Sequence, residues 1–201
     1  PIYARQQMYL DLGNYFKDFD DQPISKKIDN KKGEGLIFIV GMPRSGTTLT
    51  ESILSTAEDI VAGGEKVFFT NNLWSIFSEL KPDQKINPEF IEELGSRYLS
   101  TIEFHRNGAL NFIDKMPANF LYYKFIKMAL PSSKFIHVHR NSWDNAISLF
   151  KANYQDTIIY SSSFFGIATE YSNYHHLMKF WEKHSGQSSF YHITYEDLVS
   201  K

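Results

Sequence analysis

The sequence predicts an α/β domain of three layers, a central parallel sheet flanked by helices, on three observations. Short apolar runs alternate with longer amphipathic segments; the first of those runs is apolar at every position; and it leads straight into a glycine-bounded turn followed by a helix-forming stretch. Alternation of strand and helix favours a parallel sheet joined by right-handed crossovers. A strand apolar on both sides belongs inside such a sheet. With 201 residues, 42% of them hydrophobic and 16% aromatic, the chain can bury one sizeable core.

In chain order, residues 2–19 place Met8, Leu12, Tyr15 and Phe19 at helical spacing and predict an N-terminal helix. The run DDQPISKKIDNKKGEG (20–35) has no period and reads as a linker or loop. Residues 1–34 are therefore set apart as helix and linker, and 35–201 as the principal domain. LIFIV (36–40), LNFI (110–113), KFIHVH (134–139) and SFYHIT (189–194) predict strands, with helices over 48–55, 67–80, 88–107, 118–130, 142–153 and 163–184. Ligands of open parallel sheets sit beyond the strand carboxyl ends, so chemistry is expected in the loops after Val40, Ile113 and His139.

Charge removes several functions. Lys and Arg number 21 against 23 Asp and Glu, a formal charge of -2, so no net basic field directs the chain to nucleic acid or to an anionic membrane surface. Any anion site has to be local. Without cysteine the chain has no disulfide, thiolate metal site or thiol nucleophile, a composition that suits a reducing compartment and leans toward a cytoplasmic location. No apolar run approaches the roughly 20 residues that span a bilayer.

The turn GMPRSGTT (41–48) is the strongest chemical signal. Gly41 and Gly46 permit tight backbone turns, and the amides of Ser45 to Thr48 point from a helix N-terminus toward an anion. Thr47 and Thr48 add hydroxyl donors, and Arg44 adds a charged planar fork. A phosphate suits this set. Nucleotide-hydrolysing loops place a lysine after the second glycine to reach the β- and γ-phosphates, whereas Thr47 stands here. A loop holding one terminal phosphate, with no triphosphate tail and no metal, does not need that lysine. A phosphate-loop kinase and a nucleotide-binding module without catalysis remain alternatives.

Four ordered motifs, FIVGMPRSGTTL, DKMPANF, HVHRNSWDNAISLF and YEDLV, resemble those of sulfotransferases that use 3′-phosphoadenosine 5′-phosphosulfate (PAPS). The likeness is to the tyrosylprotein sulfotransferases and to the bacterial sulfotransferase domains that follow tetratricopeptide repeats. It implies a P-loop-like fold, transfer of a sulfuryl group to a hydroxyl without metal, and adenosine 3′,5′-bisphosphate as product. By resemblance Arg44, Ser45, Gly46, Thr47 and Thr48 hold the 5′-phosphosulfate, and Arg140 and Ser148 hold the 3′-phosphate. Lys115 aligns with a lysine that contacts the bridging oxygen, where a fixed cation stabilises charge developing on the leaving phosphate. Arg44 shares that charge balance. Glu65, in AGGEKVFF, aligns with the catalytic glutamate and is the candidate general base, with Glu51 on the helix behind the loop as its rival. Lys151 lies one residue before the point where tyrosylprotein enzymes carry a further nucleotide-binding arginine. The family's C-terminal loop falls past Lys201, which implies a domain truncated at that end. A peptide tyrosine, a saccharide or a small phenol all suit such a site as acceptor, with residues 151–166 as a loop over it.

Histidines are read as structural. His137 and His139 alternate onto one strand face, yet no third ligand has suggestive spacing, so no metal is expected. His175, His176 and His184 join a helical stripe with Tyr171, Tyr174, Met178 and Trp181 that reads as core and boundary. Tyr195, Glu196 and Asp197 read as a strand-to-helix turn outside the reactive shell, Asp197 capping it or bracing the phosphate loop from behind.

Overall fold

The computed structural model describes residues 2–17, 28–77, 85–152, 154, 158–185 and 190–200. Expectations that fall on Phe19, residues 20–27, Leu80, Asn153 and Ser189, and on 155–157 of the proposed acceptor loop, lie outside the described residues.

The elements follow in the order α1 (Ile2–Phe16), β1 (Leu36–Gly41), α2 (Thr47–Leu54), β2 (Ile60–Ala62), α3 (Phe68–Phe77), α4 (Pro88–Arg106) and β3 (Asn111–Asp114). A 3-10 turn (Pro117–Tyr122) then opens α5 (Tyr123–Ala129), followed by β4 (Lys134–His139), α6 (Ser142–Ala152), a second 3-10 turn (Ile159–Ser162), α7 (Phe164–Ser185), β5 (Tyr191–Thr194) and α8 (Tyr195–Val199). The strands form one sheet in the order β2-β3-β1-β4-β5, every pair parallel. The fold is α/β, a central parallel sheet flanked by helices. From β1 the chain builds toward β2 and β3 on one side and toward β4 and β5 on the other, which opens a crevice at the carboxyl end of β1.

Side-chain alternation along the strands divides the core unequally. Leu36, Phe38, Val40, Phe112 and Phe135 face the larger cluster, where Phe38 stacks on Phe135 (5.0 Å between ring centroids) and meets Tyr98 and Phe69 edge-on or tilted. Loss of such a buried ring costs about 3–5 kcal/mol. Ile39, Ile113 and Val138 face the other way into a small cluster with Leu54 of α2. The phosphate-loop helix is thus seated on the thinner side.

Local chemistry accounts for the helix ends. Asn87 caps α4 by accepting from Glu89 N, Pro88 takes the first turn where its missing N–H is harmless, and Asn107 closes the helix in the left-handed region. On α1, Met8, Leu12 and Tyr15 are buried as their spacing predicts, and the helix packs on α7. Arg5 and Tyr9 both bond the buried Glu170 of α7, at 2.8 Å and 2.7 Å.

Four elements differ from expectation or sharpen it. β2 is a three-residue edge strand with no full alternation to announce it. The helix expected over 118–130 begins as the tighter 3-10 turn after Pro117. Residues 28–35, read as linker or loop, form a packed turn: Ile28 and Gly33 are buried, and Lys32 Nζ donates to Glu92 O and Ser96 Oγ, both at 2.9 Å. Of the α7 stripe, Tyr174, Met178 and Trp181 are buried while His175 and His176 are exposed.

Candidate active site

β1 delivers the phosphate loop and α2 continues it. Gly46, at φ +105°, caps α2, and a Cβ there would stand 2.6 Å from the Tyr195 ring, so both conformation and space demand glycine. Arg44 also adopts a positive φ, +68°, a conformation that side chains other than glycine seldom take. Its side chain and carbonyl are engaged: Nε donates to Ser148 Oγ at 3.1 Å, and Arg140 Nη1 reaches Arg44 O at 3.4 Å. Ser45 and Thr47 are buried, while Thr48 is exposed at the first turn of α2.

The sequence assigns Arg44 to one phosphate site and Ser148 to another; in the fold they touch, because α6 runs beside the loop. Asn145 of α6 is fully buried and donates to Pro43 O at 3.0 Å, clamping the loop to the helix. Asn145 is absent from the sequence reading. Its signal was a polar residue four positions before the buried Leu149, on the inward stripe. Tyr195 is also closer to the site than expected: the Arg140 guanidinium lies 4.2 Å from its ring centre. Asp197 does not brace the loop. Its backbone N–H donates to Thr194 Oγ1 at 3.2 Å, within the cap of α8. Glu196 accepts from Asn141 N at 3.0 Å, and that bond holds its carboxyl below the usual range. Around the loop, Ser45 Oγ, Asn145 Oδ1 and Arg140 Nε are buried with no hydrogen-bond partner.

The second group lies at the end of β3, whose Asp114 pairs in register with Phe38 of β1. Lys115 follows, buried, with Nζ 2.7 Å from Glu65 Oε1; the glutamate side chain is 56% exposed. Glu65 is carried by a loop pinned to β3: Gly63 N donates to Ile113 O at 2.8 Å and Lys115 N to Gly64 O at 2.9 Å. Gly64 has φ +66°. Glu51, the rival base, is buried in α2 and accepts from Gly64 N at 2.9 Å, so it ties the phosphate-loop helix to the segment bearing Glu65. Asp114 accepts from Tyr98 OH at 2.8 Å and Met116 N at 3.1 Å; burial nevertheless raises its carboxyl to about 7. Lys151 is exposed in the last turn of α6.

His137 bonds locally, to Tyr174 OH through Nε2 and to His192 Nδ1 at 3.0 Å, and burial first, then the neighbouring histidines, lowers its pKa to about 3. Among the described residues no helix is long and apolar enough to cross a membrane.

Similarity to known proteins bears on the fold and the family. An uncharacterized protein of Aquifex aeolicus (strain VF5) is 29% identical over 194 residues, 87% of this chain and 25% of that protein. A "Putative protein-tyrosine sulfotransferase" of Caenorhabditis briggsae is 32% identical over 113 residues, 54% of this chain and 40% of that protein. The chain therefore spans well under half the length of either relative. Among solved structures, the sulfotransferase domain from the curacin biosynthetic pathway superposes with a TM-score of 0.60 at 16% identity, covering 83% of this chain and 69% of that one. A sulfotransferase from Alicyclobacillus acidocaldarius gives 0.54 at 18% identity, covering 82% and 74%. These two likenesses are of fold. Because residues 37–201, from the central strand through the last described helix, match the profile of the sulfotransferase family, the chain belongs to that family.

Proposed function

We propose that this domain transfers a sulfuryl group from PAPS to a hydroxyl acceptor, a tyrosyl or sugar hydroxyl, with Glu65 as general base. The observation that carries the reading is the set of buried, unpartnered polar atoms of Ser45, Asn145 and Arg140 on three segments that hydrogen-bond to one another. Buried polar atoms are rarely left unsatisfied; phosphate oxygens would accept from Ser45 Oγ and Arg140 Nε, while Asn145 Oδ1, an acceptor, would take a hydroxyl or N–H of the same ligand. In this reading the amides at the start of α2, with Ser45, Thr47, Thr48 and Arg44, hold the 5′-phosphosulfate. Arg140 and Ser148 hold the 3′-phosphate.

PAPS supplies the sulfuryl group. The sulfur–oxygen bond to its 5′-phosphate breaks as a sulfur–oxygen bond to the acceptor forms, and the acceptor's proton passes to the Glu65 carboxylate. Lys115 and Arg44 balance the charge left on the phosphate, and positioning carries most of the acceleration. No metal enters the scheme. The nematode relative's name favours a tyrosyl acceptor as the first to assay.

Isothermal titration with adenosine 3′,5′-bisphosphate, against ATP with magnesium, tests the reading. Micromolar binding without metal, abolished by Arg140→Ala, supports it. Preference for ATP with magnesium overturns it in favour of a phosphate-loop kinase. Binding without sulfuryl transfer to any tyrosyl or sugar acceptor would leave a nucleotide-binding module.

A further inference from the structure

Away from the phosphate loop, three side chains from separate elements bring ligand-type atoms together. His137 of β4, His192 of β5 and Glu182 of α7 each offer one such atom, all within 4.8 Å of one another. We propose that they form a binding site for a single divalent ion of the zinc class, independent of the sulfuryl-transfer chemistry.

The parallel register pairs His137 with His192, which puts both rings on the sheet face that α7 covers. Their Nδ1 atoms stand 3.0 Å apart. Two nitrogens on one tetrahedral zinc, with bonds of about 2.0–2.1 Å, are separated by about 3.3 Å, so a few tenths of an ångström of opening admits the ion. Glu182 Oε1 is 3.5 Å from the other nitrogen of the His192 ring, Nε2, so the carboxylate, its ligand atom within 4.8 Å of those of the two histidines, swings from that edge to reach an ion held between the rings. Two imidazoles and one carboxylate, with water in a fourth position, suit zinc rather than calcium or magnesium, which take oxygen ligands.

Two further features fit. The Tyr174 hydroxyl bonds Nε2 of His137, and with that N–H donated to the phenolic oxygen the Nδ1 lone pair turns toward His192. Metal-ligating histidines are commonly oriented by such an outer partner. The His192 and Glu182 side chains are 41% and 40% exposed, which gives an ion a path from solvent. The strand so tethered runs directly into Thr194 and Tyr195, the latter stacked on Arg140. An ion here would clamp β5 to β4 and α7, and ligand binding to the folded chain alone would raise its melting temperature.

The test is titration of the chain with zinc chloride, followed by calorimetry and thermal melting, with cobalt(II) absorption as a second readout. The expected result is saturation at one equivalent, a higher melting temperature and the intense visible bands of tetrahedral cobalt. His192→Ala should remove all three, Glu182→Gln should weaken binding, and Tyr174→Phe should weaken it by about tenfold or more. His175→Ala and His176→Ala, on exposed positions of α7, should change nothing. Circular dichroism identifies any variant that fails to fold, and Glu182→Gln, on a half-exposed side chain, then decides. No saturable binding, or binding indifferent to both His192→Ala and Glu182→Gln, would overturn the site and leave the two histidines as a simple N–H···N pair.

Discussion

Lys115 Nζ and Glu65 Oε1 stand 2.7 Å apart, the lysine buried at the end of β3 and the glutamate projecting from a loop pinned to that strand. The pair joins a fixed cation to a carboxylate that an acceptor can reach. Glu65→Gln keeps the shape and a polar contact to Lys115 but removes the proposed base. Turnover should fall by about 10²–10⁴-fold, the usual worth of a general base. Affinity for adenosine 3′,5′-bisphosphate, read by calorimetry, should stay within about twofold. Turnover near wild type would remove Glu65 from the mechanism.

In the proposed mechanism Glu51 positions that loop, its carboxylate accepting the Gly64 N–H at 2.9 Å. Glu51→Ala leaves the donor without its partner, at a cost of about 1–3 kcal/mol, and should lower turnover by releasing the segment that carries Glu65. Glu51→Gln retains an acceptor oxygen and should recover most of both. Urea unfolding and kcat measured on the two variants separate this role from direct catalysis, in which Gln would be as damaging as Ala.

Gly46→Ala meets two obstacles, a φ of +105° and the Tyr195 ring 2.6 Å from the new Cβ. Backbone strain of that kind costs about 1–3 kcal/mol, so the variant should melt earlier and bind nucleotide poorly. Combining it with Tyr195→Ala relieves the collision and leaves the strain. Partial recovery in thermal melts is therefore expected, and full recovery would show that the ring alone excludes a side chain.

Asp114 makes stability depend on pH. Its carboxyl is raised to about 7 by burial, against about 3.9 in an unfolded chain. Between those values the folded chain keeps a proton that the unfolded chain has released. Its contribution is therefore full below about pH 4 and is lost as pH rises through about 7, at up to about 1.4 kcal/mol per unit. Asp114→Asn, which cannot ionise, should flatten the slope in urea unfolding between pH 4.5 and 7.5. An unchanged slope would assign it to other groups.

The parts of the site legible in the sequence are those built from neighbours along the chain. LIFIV reads as a buried central strand because every position is apolar, and GMPRSGTT as an anion turn because its glycines and hydroxyls fall together. β2 escaped detection because IVA is a half-exposed edge of three residues, too short to show a period. Asn145 escaped because one polar residue on an inward helical stripe looks like a solvated one until Pro43 is brought beside it.

Taken alone, the sequence determined most of the succession of strands and helices, the central strand and the glycine-bounded turn after it, since these follow from local sterics and from the period of apolar side chains. Tertiary structure decided which strands became neighbours. The order β2-β3-β1-β4-β5 brings Lys115 to Glu65, fifty positions apart, and His137 to His192, fifty-five apart. Placement of α6 and α8 sets Arg44 on Ser148 and Arg140 on Tyr195. Such contacts depend on how whole faces pack once buried, and no local periodicity encodes that choice.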